Sequence, residues 1–440
     1  MKKAPSPLVS LIPIIVLVLL LFATIHTFGS DALSGGSQVS LLTTTAVCIL
    51  IGMAFYKIPW KDYELAITNN VAGVTTAIII LLIIGALSGI WMISGVVPTL
   101  IYYGMQIIHP SFFLASTCII CVLISVMTGS SWTTIATIGI ALMGIGKAQG
   151  FEEGWIAGAI ISGAYFGDKV SPLSETTILA ASVTDTPLFR HIRYMMITTI
   201  PSLVITLIIF TVAGFSHDAN NTQHITVAAA LNEKFHITPW LLIVPVATGI
   251  LIARKVPSII TLFLSTLLAG IFALIFQPDL LQEISGMATS GFDSLFKGLM
   301  MTFYGSTSLH TDNAVLTDLI ATRGMSGMMN TIWLILCAMC FGGAMTASGM
   351  LGSITSIFVR FMKKTVSVVG ATVCSWLFLN LATADQYISI ILTGNMFRDI
   401  YAKKGYESCL LSRTTEDSVT VTSVLIPWNT CGMTQATILS

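Results

Sequence analysis

The chain has 440 residues, 55% of them hydrophobic and only 9% charged, with 20 basic and 20 acidic side chains and a mean hydropathy of +0.88. Soluble domains carry about 25% charged residues, so this composition excludes a water-facing surface of ordinary kind, and the zero net charge excludes the basic face of a nucleic-acid binder. Repeated apolar runs near the roughly 20 residues that cross a bilayer predict an all-α polytopic membrane protein whose first partner is the lipid bilayer.

Taken in chain order, Lys2 and Lys3 precede the apolar run Leu11 to Ala23, and no small-x-small cleavage site precedes the polar stretch 29–38, so this run reads as the first membrane helix rather than a signal peptide. Lys and Arg concentrate in cytoplasmic loops, which places Lys2, Lys3, Lys57 and Lys61 inside. Residues 71–93 then exit, 95–110 lie along the outer surface, and 111–147 dip into the membrane and return, leaving Lys147, Glu152 and Glu153 outside. A segment at about 154–188 carries Asp168 and Pro172 and must cross inward to reach Arg190 and Arg193. Three spans are expected near 194–215, 239–253 and 257–277, with Arg254 and Lys255 inside. The outer loop 216–238 holds His217, His224 and His236, without the spacing of a metal site. Leu281 to Phe303, with Glu283, Asp293 and Lys297, predicts an interfacial amphipathic helix, and His310 beside Asp312 and Asn313 falls in the connection that follows. Residues 328–349 cross inward to Arg360, Lys363 and Lys364, 366–402 dip in from the inside beside Arg398, Lys403 and Lys404, and 408–438 form the last segment.

These segments contain an internal repeat. Met127 to Thr134 aligns with Ala382 to Ser389 at an offset of 255 residues (383 against 128), which also carries Gly139 onto Gly394 and Pro172 onto Pro427. The basic residues obey the inside preference only if the second copy runs the opposite way across the membrane. The expected organisation is therefore a first half at 1–215, an outer loop, two spans and an interfacial connection at 216–327, and a second, inverted copy at 328–440. Each copy has a re-entrant hairpin (about 111–147 and 366–402) and a helix broken at proline (about 154–188 and 408–438). Inverted repeats with broken helices are an architecture of secondary transporters, in which the substrate binds near the midplane.

Sodium is a hard cation that needs several oxygen ligands, with a carboxylate to balance its charge. In the first copy Ser130, Ser131 and Thr133 at the hairpin tip are expected to face Asp168, Ser171, Ser174, Glu175 and Thr176. In the second, Thr383, Asp385 and Gln386 are expected to face Asp417, Ser418, Thr422, Asn429 and Thr430. Acids within apolar membrane segments are costly and mark ion paths or proton relays, although Glu175, three residues after a proline, equally suits a helix N-terminus. Burial penalises a bare carboxylate, so one that holds either a proton or a sodium ion, never both, yields obligatory exchange with no enzyme chemistry. The sequence has no Walker A, G-x-S-x-G or H-E-x-x-H motif, which argues against an ATP-driven pump, a hydrolase and a resident cofactor. The pairs Cys118/Cys121 and Cys337/Cys340 lack neighbouring histidines and read as apolar packing. A passive cation channel would also use buried acids, but an inverted pair of broken helices suits alternating access better than a pore.

At these residues the chain resembles the NhaC-type sodium/proton antiporter family. The resemblance rests on Gly129-Ser-Ser-Trp-Thr-Thr134, Gly163-Ala-Tyr-Phe-Gly-Asp-Lys-Val-Ser-Pro-Leu-Ser-Glu-Thr-Thr177, Leu381-Ala-Thr-Ala-Asp-Gln386, and Ser412-Arg-Thr-Thr-Glu-Asp-Ser418 through Ile426-Pro-Trp-Asn-Thr-Cys-Gly432. It implies scaffold and transport domains with elevator-type motion, a homodimer, a place in the cytoplasmic membrane, and sodium and protons as the transported species. Relatives that exchange sodium-lactate for proton-malate make a small organic acid the alternative substrate, and Arg413, the one basic residue near the second broken helix, is either the group that would meet it or equally a cytoplasmic boundary charge. The first copy is followed by the span 194–215, whereas Ser440 corresponds to position 185. The second copy is therefore expected either to lack its last helix or to be a shortened chain.

Overall fold

A computed structural model describes residues 5–28, 35–216, 221–289, 291–309, 311, 316–317, 320–360 and 365–439, with the side chains of 221–227, 355, 358–360 and 365 outside that description. Lys2, Lys3, His217, His310, Asp312, Asn313, Lys363 and Lys364, and the side chains of His224 and Arg360, accordingly lie outside the described residues. Among those residues the regular structure is helical, apart from one antiparallel bridge between Thr307 and Thr322. Eight helices are long and apolar enough to cross a bilayer, or up to nine if the bent pair Ala228–Lys234 and Pro239–Ala253 counts as one span. Only 17% of the apolar window of Leu188–Phe215 is buried within the protein, and Ile197, Ile205 and Ile208 stand exposed along it. In water such a face would be a liability, whereas in hydrocarbon it is the expected outer surface.

The chain divides into two compact units. One comprises Met1–Ile78, Glu175–Met195 and Asn330–Thr434, the other Ile79–Ser174, Met196–Met329 and Gln435–Ser440. In the first unit, Pro7–Phe28 and Gly36–Tyr56 are followed by a short turn at Lys57, whose left-handed conformation ends the second helix and whose N–H bonds to the Gly52 carbonyl. The helices Met329–Ala347, Thr365–Thr383, Gln386–Lys403 and Ser408–Ser423 belong to the same unit. Trp376, Ile390, Val419 and Ala180 form one of its apolar clusters.

In the second unit, Phe113–Thr128 and Glu153–Val170 pack most intimately. A Cβ at Gly163 would lie 2.3 Å from the Cys118 carbonyl oxygen, and one at Gly167 would lie 2.2 Å from the Ser125 carbonyl carbon, so both positions admit only a hydrogen. Close backbone approach through small residues is how membrane helices gain contact when lipid offers no hydrophobic drive. Polar side chains pin the remainder: the Trp91 indole donates to Ser265 Oγ at 3.1 Å, and Gln277 bonds both the N–H and the carbonyl of His236 at 3.2 Å.

Two local expectations change. The stretch 216–238 contains a helix, Asn221–Lys234, rather than loop throughout. Leu281 to Phe303 is two helices, Pro278–Ser285 and Phe292–Tyr304, because Gly286 takes the left-handed conformation that ends the first.

Candidate functional site

The first hairpin tip lies wholly in the second unit. Helix Phe113–Thr128 ends at Gly129, whose φ of +67° is left-handed and whose N–H donates to the Ser125 carbonyl at 2.8 Å. The chain then restarts at Ser130, an N-cap whose side chain accepts from the Thr133 N–H at 3.2 Å. Thr128 Oγ1 holds the loop together, donating to the Ser130 carbonyl at 3.1 Å and lying 3.2 Å from Thr134 Oγ1. The restarted arm passes through a π-helical turn at Ile135–Gly139, a geometry common at functional sites. Buried Asp168, near the end of Glu153–Val170, receives the Ser131 N–H at 2.9 Å on Oδ1 and the Ser131 hydroxyl on Oδ2.

The second tip lies wholly in the first unit. Helix Thr365–Thr383 stops at Ala384, which takes φ +57° although it is not glycine, and Gln386–Lys403 begins with Asp385 as its N-cap. Asp385 is 2% exposed. Its Oδ1 accepts the Ile388 N–H at 2.9 Å and its Oδ2 accepts the Thr430 hydroxyl at 3.4 Å, while the Thr430 N–H donates to the Ala384 carbonyl at 2.9 Å. Beside it, Gln386 is buried, and its Oε1 has no hydrogen-bond partner among the described residues.

The two tips share one construction at the 255-residue offset. The helices that leave them start at Ser131 and Gln386, the incoming helices end at Thr128 and Thr383, and the later arms start at Glu175 and Thr430. Thr383 repeats each contact of Thr128 with the tip: its Oγ1 donates to the Asp385 carbonyl at 3.1 Å and lies 3.0 Å from Ser389 Oγ. The incoming arms are tied to the broken helices at equivalent places as well. Ser125 Oγ donates to the Gly163 carbonyl at 3.1 Å and accepts the Gly167 N–H at 3.0 Å. Its counterpart Asn380 donates to Ser423 Oγ at 2.9 Å and Thr422 Oγ1 at 3.2 Å, and accepts from Asn429 Nδ2 at 2.9 Å. The Val126 carbonyl accepts the Ser171 hydroxyl at 2.8 Å, and the equivalent Leu381 carbonyl accepts the Trp428 indole N–H at 2.9 Å.

The acids, however, exchange places. In the first copy the carboxylate is on the broken helix, at Asp168, and the tip offers serine. In the second the tip carries Asp385, where the first has Ser130, and the broken helix has Ser423 where the first has Asp168.

Of the residues singled out in the sequence, Ser131 joins Asp168, and Thr430 joins Asp385. Ser130, Thr133 and Thr383 bond within their own tips, with Thr133 Oγ1 donating to Ser130 Oγ at 3.2 Å. Ser171 bonds the arm carbonyl, Ser174 is buried after the break with its N–H on the Ser171 carbonyl, and Asn429 joins Asn380. Glu175 and Thr176 belong to the other unit, where exposed Glu175 accepts the Tyr387 hydroxyl at 3.1 Å and Thr176 is buried. Thr422 donates to the Ser418 carbonyl, and Asp417 is half-buried on the helix Ser408–Ser423. Arg413 stacks its guanidinium over the Tyr194 ring, 4.6 Å from the centroid. Ser125 and Asn380 escaped the sequence reading because single polar residues in apolar arms look like packing hydroxyls or amides. The 255-residue alignment pairs them and is the signal that exposes them.

The tips also differ in strain. A Cβ on Gly129 would sit 2.6 Å from the Leu173 carbonyl carbon at a φ that L side chains resist, so Gly129→Ala is expected to cost about 1–3 kcal/mol. At the equivalent Ala384, glycine would relieve about 1–2 kcal/mol of left-handed strain against about 0.5–1 kcal/mol of added chain entropy. Ala384→Gly should therefore be neutral or slightly stabilising. Thermal unfolding in detergent checks the pair, and a Gly129→Ala protein as stable as the parent would contradict it.

The Na+/H+ antiporter family model matches residues 163–440. The chain belongs to the Na+/H+ antiporter family. This antiporter-family chain is 36% identical to the Na(+)/H(+) antiporter NhaC of Bacillus subtilis, over 90% of its own length and 85% of the relative's. It is also 36% identical to the malate-2H(+)/Na(+)-lactate antiporter of the same organism, over 91% and 83% of the two chains. A third relative, the Na(+)/H(+) antiporter NhaC of Alkalihalophilus pseudofirmus, is 36% identical over 88% of this chain and 81% of its own. The matched region begins within helix Glu153–Val170, ahead of Asp168, and contains the second tip and the second broken helix. Such a family works by transport rather than by bond chemistry, so none of the site residues is a catalyst.

Proposed function

We propose that this chain is a secondary antiporter of the cytoplasmic membrane that exchanges sodium for protons by competition at buried carboxylates. The observation that carries the reading is Asp385. It is buried, its donors are neutral, and no basic side chain lies within ion-pair distance of it among the described residues. A bare carboxylate in such a place is too costly to persist. It is stable when it holds a proton or a cation, and exclusion of one by the other is what exchange requires. Asp385, Gln386 Oε1 and the Thr430 hydroxyl are the oxygen donors we assign to sodium in the second copy, with Asp168 and Ser131 as their analogues in the first.

We further assign the two tips to inverted copies, each tip re-entrant, because the basic residues flanking them follow the inside preference only in that arrangement. The incoming arms Pro110–Thr128 and Val366–Thr383 are each long enough to cross alone, so labelling is the deciding measurement. In a cysteine-free background, a cysteine near Lys147 should react with an impermeant reagent from outside, and one near Lys403 only from inside. Reaction of both from the same side would remove the inverted arrangement. The family resemblance adds a homodimer with moving transport domains to this reading.

The malate/lactate relative favours one second reading, coupled movement of a small organic acid with Arg413 as the basic group that meets it. Proteoliposomes given sodium alone, then sodium with malate or lactate, separate the two. Proton movement driven by sodium alone supports ion exchange, and strict dependence on the organic acid supports the second reading.

A further inference from the structure

Cys48, on the helix Gly36–Tyr56, is fully buried, and its Sγ lies 3.7 Å from Met345 Sδ and 3.7 Å from Met350 Sδ. Both methionines are fully buried as well. Ser348 Oγ is a further neighbour of the thiol, at 3.7 Å. All four residues belong to the first unit.

The meeting of the two thioethers depends on a turn. Residues five apart on a continuous helix point about 140° away from each other. Here the helix Met329–Ala347 ends ahead of Ser348 and Gly349, where Gly349 takes φ +71°, and the chain restarts as Met350–Arg360. Ser348 ties the turn, its hydroxyl donating to the Met345 carbonyl at 3.0 Å and accepting the Met350 N–H at 3.4 Å. Both methionines are thereby delivered to the same thiol.

A thiol has one proton, so it can serve only one of the two thioethers as a hydrogen-bond donor. Metal–sulfur bonds about 2.3 Å long, at tetrahedral to trigonal angles, hold two ligating sulfurs about 3.8–4.0 Å apart. The two 3.7 Å separations therefore lie close to the spacing of a ligand set. Thiolate and thioether sulfur are soft ligands that select Cu(I) and pass over hard cations such as sodium. Charge narrows the choice further. One thiolate balances one positive charge, whereas a divalent ion would leave a charge uncompensated in a buried place. No group of three His, Cys, Asp or Glu side chains placed to hold a metal occurs among the described residues to offer a harder alternative.

We propose that Cys48, Met345 and Met350 form a binding site for one soft monovalent cation, Cu(I) or Ag(I), with Ser348 bracing the two methionines. Binding replaces the thiol proton: a sulfur–metal bond forms, the S–H bond breaks, and the proton leaves to water with no change of oxidation state. The thiolate and two neutral thioethers then hold the ion in a three-sulfur set of zero net charge. The assignment is independent of the sodium/proton reading.

The test loads the purified full chain with Cu(I) under oxygen-free, reducing conditions, strips loosely held ion with a Cu(I) chelator, and counts copper per chain. The unmodified protein is expected to retain one more Cu(I) than Cys48→Ser, and one more than the double variant Met345→Leu with Met350→Leu. The double variant keeps the thiol and nearly all of the core volume, so it carries the comparison if Cys48→Ser does not elute as a folded species. Equal copper in the unmodified protein and the double variant overturns the site. Purely packing sulfurs would lower the unfolding temperature of the variants and leave the copper count unchanged, which is that same overturning result. X-ray absorption of the unmodified protein, loaded with less than one Cu(I) per chain, is expected to show three sulfur neighbours at about 2.3 Å. Copper with two sulfurs only would place the ion on Cys118/Cys121 or Cys337/Cys340 and would overturn the proposal as well.

Discussion

Asp385→Asn is expected to lower sodium-dependent proton movement in proteoliposomes by about 100-fold or more, while the protein still elutes from detergent as a folded species. The amide keeps the shape of the carboxylate, and its oxygen can still accept the Ile388 N–H, so the N-cap of Gln386–Lys403 survives. What it loses is the negative charge. Removing one member of a buried charged pair costs about 3–5 kcal/mol, and each 1.4 kcal/mol is tenfold in affinity, so sodium would no longer be held. The amide cannot carry the counter-proton either, so both half-reactions fail together. Exchange in the variant within a few-fold of the parent would remove Asp385 from the site. Asp168→Asn should fall in the same direction, since Asp168 also accepts two bonds from Ser131 that a correctly turned amide can satisfy only in part.

The second large effect is on sodium affinity across pH. If one carboxylate set serves both ions, sodium can bind only where the proton has left. Sodium affinity should then be constant at pH values above the carboxylate's own pKa and weaken roughly tenfold per pH unit below it for each proton displaced. The sign is fixed by competition: acid fills the site with protons, so sodium binds more weakly as pH falls. Equilibrium binding of sodium to the purified protein from about pH 5 to about pH 9 brackets the range in which a shifted carboxylate titrates. A flat affinity over that range would sink the shared site even in a working antiporter, because it would place the proton on a separate group. A turnover that changes with pH at constant affinity would point the same way.

The chain's own residues announced the membrane and the places where its helices are interrupted. Apolar runs bounded by Lys57, Lys147, Arg254 and Lys403 are read without knowing any contact, because hydrocarbon demands them locally, residue by residue. The polar knots Thr128 to Ser131 and Thr383 to Gln386 stand out for the same reason, and their common offset carries through to the ends of the helices on either side. The helix Asn221–Lys234 was missed because it has no long apolar run to mark it.

What only the tertiary structure decided is which side chains meet. Sequence spacing pairs Asp168 with Ser423 and Asp385 with Ser130, yet it cannot say that Ser131 turns to Asp168, that Thr430 turns to Asp385, or that Asn380 and Asn429 brace the second break. Glu175 and Asp417 are acids like those at the tips, but Glu175 is exposed and accepts the Tyr387 hydroxyl, and Asp417 is half-buried on the helix Ser408–Ser423. The reason is geometric. Hydropathy and spacing follow from each residue's preference for lipid or water, which is a local property, whereas the partner of a side chain depends on how far each helix is rotated about its axis when it packs. That rotation is set by contacts such as Gly163 against Cys118 and Gly167 against Ser125, between residues more than 40 positions apart in the chain.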